Sequence, residues 1–195
     1  MQGLASNITN SNHRFVCMCN DCQAFPQFLG NTEEVLDENG GTEVFPVYPA
    51  NIKITKGMEN LKCVRLSDDG LMRWYAGCCK TPIANTMSSP KLPFASLIHT
   101  FLDLSSFSTT RDEVLGPVYA RVNAKYGHGK LPVDAHRNSS LKLGLTAMKY
   151  LFIGFVKKLN RPSPFFTPDG KPRVEPLVLT DEQYYQLISL GNAPL

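Results

Sequence analysis

Three of the chain's six cysteines, Cys17, Cys19 and Cys22, lie within a segment of six residues. In an extended segment the side chains of residues i and i+2 point to the same side, so Cys17 and Cys19 can face one centre. A turn at Asn20 and Asp21 then brings Cys22 over that centre, as the second half of a Cys-x-x-Cys metal knuckle does. Three thiolates that converge in this way suit a soft divalent cation, and the spacing therefore predicts a zinc site.

Two interpretations without a metal stay open, a disulfide between Cys17 and Cys22 and a redox pair of Cys19 and Cys22. A thioredoxin-type pair opens a helix after a strand in a βαβ unit, and the sequence shows no such unit. The polar segment from Met1 to Arg14 lacks the apolar core of a secretion signal, and no run reaches the ~18 apolar residues of a membrane span. We therefore expect a cytoplasmic protein, whose reduced thiols favour metal binding.

Three neighbouring ligands leave the fourth position of a tetrahedral site to be filled. A structural zinc site is usually closed by four protein ligands, whereas a catalytic site keeps one position for water or substrate. The distant candidates are Cys63, Cys78 and Cys79. Cys63 lies in an apolar β segment and is typical of a small buried side chain. Cys78 and Cys79 would point to opposite faces of a strand, so one metal should recruit at most one of them.

Turn residues and alternating apolar positions predict a β domain over residues 1–92. Its predicted strands are Thr42–Tyr48, Asn51–Thr55, Lys62–Leu66 and Leu71–Tyr75. The Asp69-Gly70 pair predicts a hairpin between the last two strands. A further short helix or turn is expected from Gln23 to Gly30, closed by its glycine.

From residue 93 onward the apolar period becomes that of a helix. The first predicted helix has an apolar face made of Phe94, Leu97, Ile98, Phe101 and Leu102. A second is predicted from a capping box of Thr110 and Glu113, followed by Val114, Val118 and Val122 at four-residue steps. Pro117 interrupts this pattern, so the helix is either broken there or begins there. A third follows Ser140, and its apolar side is expected to pack on the core through Leu141, Leu145, Met148, Phe152, Phe155 and Leu159. Residues 93–160 are thus expected to form a helical extension packed on the β domain, and the Pro-rich residues 161–195 to end in a short helix at Asp181–Leu190.

Basic residues are concentrated in residues 121–161, which carry nine Lys or Arg side chains and one acid, Asp134. We interpret this stretch as a solvated basic face, and an attraction for an anionic thiol, a phosphate or an acidic lipid surface is the alternative. Nucleic acid is not expected, because the stretch lacks interleaved aromatic residues. The segment Ser139–Lys158 would also suit a membrane interface, but packing on the core is the favoured interpretation.

Two motifs resemble the glutathione-dependent formaldehyde-activating enzyme (GFA) family. They are Val16-Cys-x-Cys-x-x-Cys-Gln and, further along the chain, Arg73-Trp-Tyr-Ala-Gly-Cys-Cys-Lys-Thr-Pro-Ile. The similarity covers about residues 15–85. It is closest to a divergent subgroup that shares Cys-Gln-Ala-Phe and Gly-Cys-Cys-x-Thr-Pro-Ile and carries a helical C-terminal extension.

The resemblance implies a β-tent, in which two twisted antiparallel sheets meet around zinc. It also implies that Cys17, Cys19 and Cys22 hold the catalytic zinc and that the thiol of glutathione takes the remaining position. The family's second, structural zinc uses an upstream Cys-x-Cys and a downstream Cys-x-x-Cys. Here no cysteine precedes Cys17, and Ala76 replaces one downstream cysteine. The second site is therefore predicted to be absent, which leaves Cys79 as a possible fourth ligand of the first.

The expected function is that of a GFA-like zinc protein that joins a glutathione-type thiol to a small aldehyde. Such an enzyme is a carbon–sulfur lyase of the S-(hydroxymethyl)glutathione synthase type. The alternative is a non-catalytic binding module, stabilised by zinc, whose site Cys78 or Cys79 closes. The expected partner is a small anionic thiol, and neither nucleic acid nor a membrane-spanning segment is expected.

Overall fold

The computed structural model describes residues 1–8, 14–103, 108–139 and 141–191. The strands in this part of the chain are β1 (Gln2–Ala5), β2 (Phe15–Cys17), β3 (Thr42–Val47), β4 (Ile52–Lys56), β5 (Leu61–Arg65), β6 (Met72–Ala76), β7 (Pro82–Thr86), β8 (Ala95–Ile98), β9 (Ala120–Val122) and β10 (Leu177–Val178). The α-helices are α1 (Asn20–Leu29), α2 (Thr32–Val35), α3 (Arg111–Leu115), α4 (Leu141–Val156) and α5 (Asp181–Gly191). The fold is mainly β with a few helices, the α+β class that the sequence predicts.

Eight strands form one sheet in the order β10-β5-β6-β7-β8-β3-β2-β9. Strands β1 and β4 form a separate antiparallel pair. In the large sheet β10 runs parallel to β5 and β9 runs parallel to β2, whereas the other neighbouring pairs are antiparallel. The expectation of two sheets is confirmed, but the large sheet is mixed because its two outer strands arrive from distant parts of the chain.

The four strands predicted from alternation are confirmed as β3, β4, β5 and β6, with bounds that differ by a residue or two. The hairpin predicted at Asp69-Gly70 joins β5 to β6, and the Gly70 amide closes the turn on the Ser67 carbonyl at 3.1 Å. Helix α1 ends at Gly30 as predicted, because Gly30 adopts the left-handed conformation, with φ of 74°.

The helix predicted from Phe94 to Leu102 is wrong. That segment contains β8, which pairs with both β3 and β7 and is followed by a 3-10 turn at His99–Phe101. All four residues of β8 are buried. A strand buried on both faces carries a continuous apolar run, and the periodicity of such a short run does not distinguish it from a helix.

The helix predicted to continue from Thr110 to Val122 is also wrong beyond its first turn. The capping box of Thr110 and Glu113 is present, but α3 ends at Leu115. Gly116 then adopts a φ of 74°, and Val122 belongs to β9, where it pairs with β2. The large sheet therefore includes strands from both sides of residue 92, and the division of the chain at residues 92 and 160 stays a prediction.

Trp74 on β6 lies in the main core, where the Pro-rich C-terminal segment covers the sheet. Its ring stacks on Phe165 with centroids 5.1 Å apart and meets Phe166 edge-on at 6.0 Å. The indole N–H donates to the Thr86 hydroxyl at 2.9 Å, which satisfies its only polar atom. The segment around Phe165 therefore completes the core.

Helix α4 forms where the sequence predicts it, but its predicted core face is exposed. Tyr150 stacks on Tyr48 with centroids 4.1 Å apart, and Gly154 packs on Tyr48 and Pro93. The opposite side of the helix carries exposed large apolar residues, namely Leu141, Leu145, Met148, Phe152, Phe155 and Val156. The expectation that this side packs on the core is wrong, because α4 uses smaller and aromatic residues for its contacts. Ser140, after which the helix was predicted to begin, lies outside the described residues. None of the described helices has the length and apolar character that a bilayer-spanning segment requires.

Candidate metal centre

The three clustered cysteines converge at the junction of β2 and α1. Cys17 ends β2, Cys19 is the N-cap of α1 in an extended conformation, and Cys22 lies in the first turn of the helix. Their sulfur atoms all lie within 4.8 Å of one another, with Cys17 Sγ 3.4 Å from Cys19 Sγ. The predicted turn at Asn20 and Asp21 is thus the start of a helix, and it serves the same purpose of returning Cys22 to the centre.

Hydrogen bonds among the three thiols move their pKa values in opposite directions. Hydrogen bonds from Cys19 and Cys22 lower the pKa of Cys17 to about 3. The same interaction with Cys17 raises the pKa of Cys19 and, still more, that of Cys22. A divalent cation at the centre would let all three ionise together, since opposite charge favours the thiolate. The donor set therefore fits a soft metal such as zinc.

Neighbouring side chains fix two of these cysteines in place. Asn123, which follows β9 in a left-handed conformation with φ of 60°, donates from Nδ2 to Cys17 Sγ at 3.4 Å. The Thr42 hydroxyl donates to the Cys22 carbonyl at 2.8 Å. Because groups that hydrogen-bond a metal ligand orient it, Asn123 and Thr42 hold the cluster in its converging arrangement.

Gln23 ties the cysteine segment to the loop after β9. Its Nε2 donates to the Met18 carbonyl at 2.8 Å and to the Tyr126 carbonyl at 2.9 Å. Its Oε1 lies 2.8 Å from His128 Nε2 and accepts from it in the tautomer that carries a proton there. Gln23 is buried, so these bonds satisfy a polar side chain that has little access to water.

Asp21 joins the first turn of α1 to strand β6 and to helix α5. Its Oδ2 accepts from the buried Arg73 guanidinium at 3.2 Å, and its Oδ1 accepts from the Tyr184 hydroxyl at 2.5 Å. Burial lowers the pKa of Arg73, but the charges of Cys22 and Asp21 outweigh it and leave a net rise. Arg73 therefore stays charged and offsets the negative charge that three thiolates would bring.

A cavity of about 410 Å³ lies between the cysteine segment and α4. Cys17 and Asn123 line it from the sheet, and Ala147 and Tyr150 line it from the helix. Most of the other lining residues are apolar, among them Phe15, Pro46, Leu92, Phe94, Val122 and Leu151. One ligand of the candidate metal site thus borders a half-open cavity large enough for a small molecule.

A family model described as a family of unknown function (DUF6151) matches residues 3–176. The chain belongs to this family. No curated protein and no solved structure gives a significant match. The family description assigns no activity, so the resemblance to GFA enzymes stays a prediction for this DUF6151 protein.

The other three cysteines of the DUF6151 protein lie outside the cluster. Cys63 is buried in the core, where burial raises its pKa to about 12. Cys78 and Cys79 are exposed, and the Cys79 sulfur lies 3.1 Å from the Thr81 hydroxyl. Among the described residues, the group close enough to share a metal comprises Cys17, Cys19 and Cys22, without Cys79. All six cysteines are free.

Three residues that support this site in the DUF6151 protein were not identified from the sequence. Arg73 carried a signal, because a charged residue inside an apolar strand requires a partner. Asn123 and Tyr184 carried none, since each reaches the site only through a long-range contact, 106 residues from Cys17 and 163 residues from Asp21 respectively. Asp21, which the sequence places in the turn between the cysteines, also contacts β6 and α5.

Proposed function

We propose that this DUF6151 protein is a zinc enzyme in which Cys17, Cys19 and Cys22 hold the metal and a thiol substrate takes the fourth position. The observation that carries the proposal is the cluster itself, three converging sulfurs of which one lines a cavity. A site with three protein ligands and an adjoining cavity has the composition of a catalytic zinc centre, whereas structural sites use four ligands.

The proposed reaction joins a thiol to an aldehyde. A carbon–sulfur bond forms, the carbonyl becomes a hydroxyl, and the proton of the thiol ends on the former carbonyl oxygen. Bound zinc would lower the pKa of the thiol and polarise the carbonyl. The cysteines act as ligands and not as nucleophiles, Asn123 orients Cys17, and Arg73 balances the net negative charge of a metal held by three thiolates.

The proposal includes the GFA-type β-tent and a cytoplasmic location. The two sheets and the position of the cysteines at the end of β2, beside the outer strand β9, support the first. Six unpaired cysteines support the second, because thiols stay reduced in the cytosol.

Zinc content of single variants tests the metal site. Cys17→Ser, Cys19→Ser and Cys22→Ser should each lose most of the bound zinc, whereas Cys79→Ser should keep it. Wild-type protein that is fully reduced, folded and free of metal would contradict the proposal. Loss of zinc from Cys79→Ser would instead favour the closed binding module, which requires the loop of Cys79 to move to the cluster.

Cobalt substitution tests the open position. If a thiol binds the metal, its addition should change the thiolate-to-cobalt absorption of the wild-type protein, and the Cys79→Ser variant should respond equally. An unchanged spectrum with every thiol tried would count against an enzyme.

A further inference from the structure

Apart from the Cys17 sulfur, the cavity beside Cys17 carries no charged side chain among the described residues that line it. Glutathione has two carboxylates and an ammonium group, and burying such charges without partners is costly. The nearby lysines of α4, Lys142 and Lys149, are exposed and do not line the cavity. The cavity therefore suits an apolar molecule better than the glutathione that the family resemblance implies.

The polar side chains that line the cavity are few, namely Asn123, Ser139, Thr146 and Tyr150. Asn123 bonds Cys17, and the Thr146 hydroxyl lies 3.1 Å from that of Tyr119. The Tyr150 hydroxyl is buried and has no hydrogen-bond partner among the described residues. Burial raises the pKa of Tyr150, so its hydroxyl keeps a proton that it can donate to a ligand oxygen.

We propose that the cavity binds an unbranched aliphatic chain with one oxygen at its end, and that the aldehyde substrate is a medium-chain aliphatic aldehyde. This inference rests on the proposed function for the chemistry, but the binding of the chain depends only on the cavity. Each methylene moved from water into the cavity should tighten binding about fourfold. At about 410 Å³ the cavity lies at the small end of ligand sites, so this gain should stop once a medium chain fills it.

Displacement of a neutral fluorescent probe, N-phenyl-1-naphthylamine, by linear primary alcohols tests the proposal. Alcohols from butanol to decanol carry the chain and the oxygen but do not react with lysine or thiol groups. We expect each added methylene to raise the affinity of the alcohol about fourfold up to a limiting chain length. Glutathione should not displace the probe. Wild-type protein stripped of zinc with a chelator should bind the alcohols as tightly as zinc-loaded protein, so failure of the metal proposal and failure of the cavity proposal are distinguishable.

A matched pair of variants on α4 shows where the alcohol binds. Ala147→Phe places a ring in the cavity and should weaken decanol binding about tenfold or more, the effect of two or more lost methylenes. Met148→Phe places the same ring on the exposed side of the helix and should change nothing. The proposal would be overturned if the affinity for alcohols did not depend on chain length, if both variants lost decanol binding equally, or if glutathione displaced the probe.

The exposed side of α4 carries an independent inference. Its six large apolar residues form one stripe, and Met148 and Phe152 are each 69% exposed. Lys142 and Lys149, two helical turns apart, lie along one edge of the stripe, and Lys157 and Lys158 follow the helix. Residues 141–158 contain no acidic side chain. An apolar stripe bordered by lysines is the pattern of a helix that lies in the surface of an anionic membrane.

We propose that this stripe docks on a bilayer surface that contains anionic lipid. A second copy of the chain is a poorer occupant, because a symmetric pairing through the stripe would bring identical lysines together. Anionic head groups instead complement the lysines while the apolar residues enter the acyl boundary.

Co-sedimentation with vesicles tests the docking surface. The protein should bind vesicles of phosphatidylcholine with phosphatidylserine, and salt should weaken the binding. Phe152→Asp should reduce it about tenfold or more, since it removes a large apolar side chain from the contact. Leu4→Asp, at a residue 66% exposed on β1, is the matched control and should bind normally. Absence of binding to these vesicles, or a solution dimer that Phe152→Asp dissociates, would overturn the proposal.

Discussion

Replacing Asp21 with Asn tests the ion pair that fixes the first turn of α1 to the sheet. Arg73 is 2% exposed, so its guanidinium cannot find water if the carboxylate is removed, whereas the Asp21 side chain is 34% exposed. Removing one partner of a fully buried pair costs about 3–5 kcal/mol. Solvent screens this pair on the Asp21 side, so we expect the free energy of unfolding to fall by about 2 kcal/mol.

Urea unfolding followed by Trp74 fluorescence measures this loss. Trp74 is the chain's single tryptophan and is buried in the core, so its emission reports global unfolding. With a denaturant dependence of about 2 kcal/mol per molar, the midpoint should fall by about 1 M. Zinc stoichiometry should not change, because Asp21 is not a ligand.

Tyr184→Phe is the matched control for this prediction. It removes the donor to the other oxygen of the same carboxylate but leaves no buried charge unpaired. We expect it to cost about 1 kcal/mol, the usual value of one hydrogen bond. If Asp21→Asn costs no more than Tyr184→Phe, the reasoning from the burial of Arg73 is refuted.

Four further predictions concern thiol reactivity, the pH dependence of stability and the packing of α4. Iodoacetamide at about pH 8 should label Cys78 and Cys79 in folded protein to which zinc has been added, and it should spare the buried Cys63. Cys79 should react first because a hydrogen bond from Thr81 lowers its pKa, and mass spectrometry of the digested protein checks the order. In metal-free protein at about pH 6, where an ordinary thiol of pKa about 8.5 is protonated, ultraviolet absorbance should show one thiolate that Cys17→Ser removes. The pKa of Cys17 is lower in the folded protein than in the unfolded chain, so the Cys17 thiolate stabilises the metal-free fold at pH values above the pKa of the unfolded thiol. That stabilisation should be lost as the pH falls from there toward 3. Gly154→Ala should lower the free energy of unfolding by about 1–3 kcal/mol, since its methyl group would lie 2.7 Å from neighbouring side chains, and a normal urea midpoint would contradict this packing.

Local chemistry was enough to predict several elements from the sequence. The Asp69-Gly70 turn fixes the hairpin of β5 and β6 because those residues accept the turn conformation without help from the rest of the fold. The capping box of Thr110 and Glu113 likewise satisfies the first amides of α3 within four residues. The spacing of Cys17, Cys19 and Cys22 brings three sulfurs together through the backbone of a strand end and one helical turn.

Long-range packing explains the features that were predicted wrongly from the sequence. The run from Phe94 to Leu102 satisfies a helical pattern, and it became a strand because β3 and β7 present free edges on both sides of it. The apolar stripe of α4 has the pattern of a core-facing helix, but α4 contacts the rest of the fold through its other side, where Tyr150 stacks on Tyr48, so the stripe stays exposed.

The sequence by itself determined which atoms can bind a metal, because the three sulfurs are neighbours along the chain. Only the tertiary structure decided what surrounds them. Arg73, Asn123 and Tyr184 reach the site across separations of 52, 106 and 163 residues from their partners. The cavity likewise exists only where β2 and α4 face each other. Which residues can serve as metal ligands is thus a local property of the chain. The charge balance of the site and the cavity beside it depend on how distant segments pack.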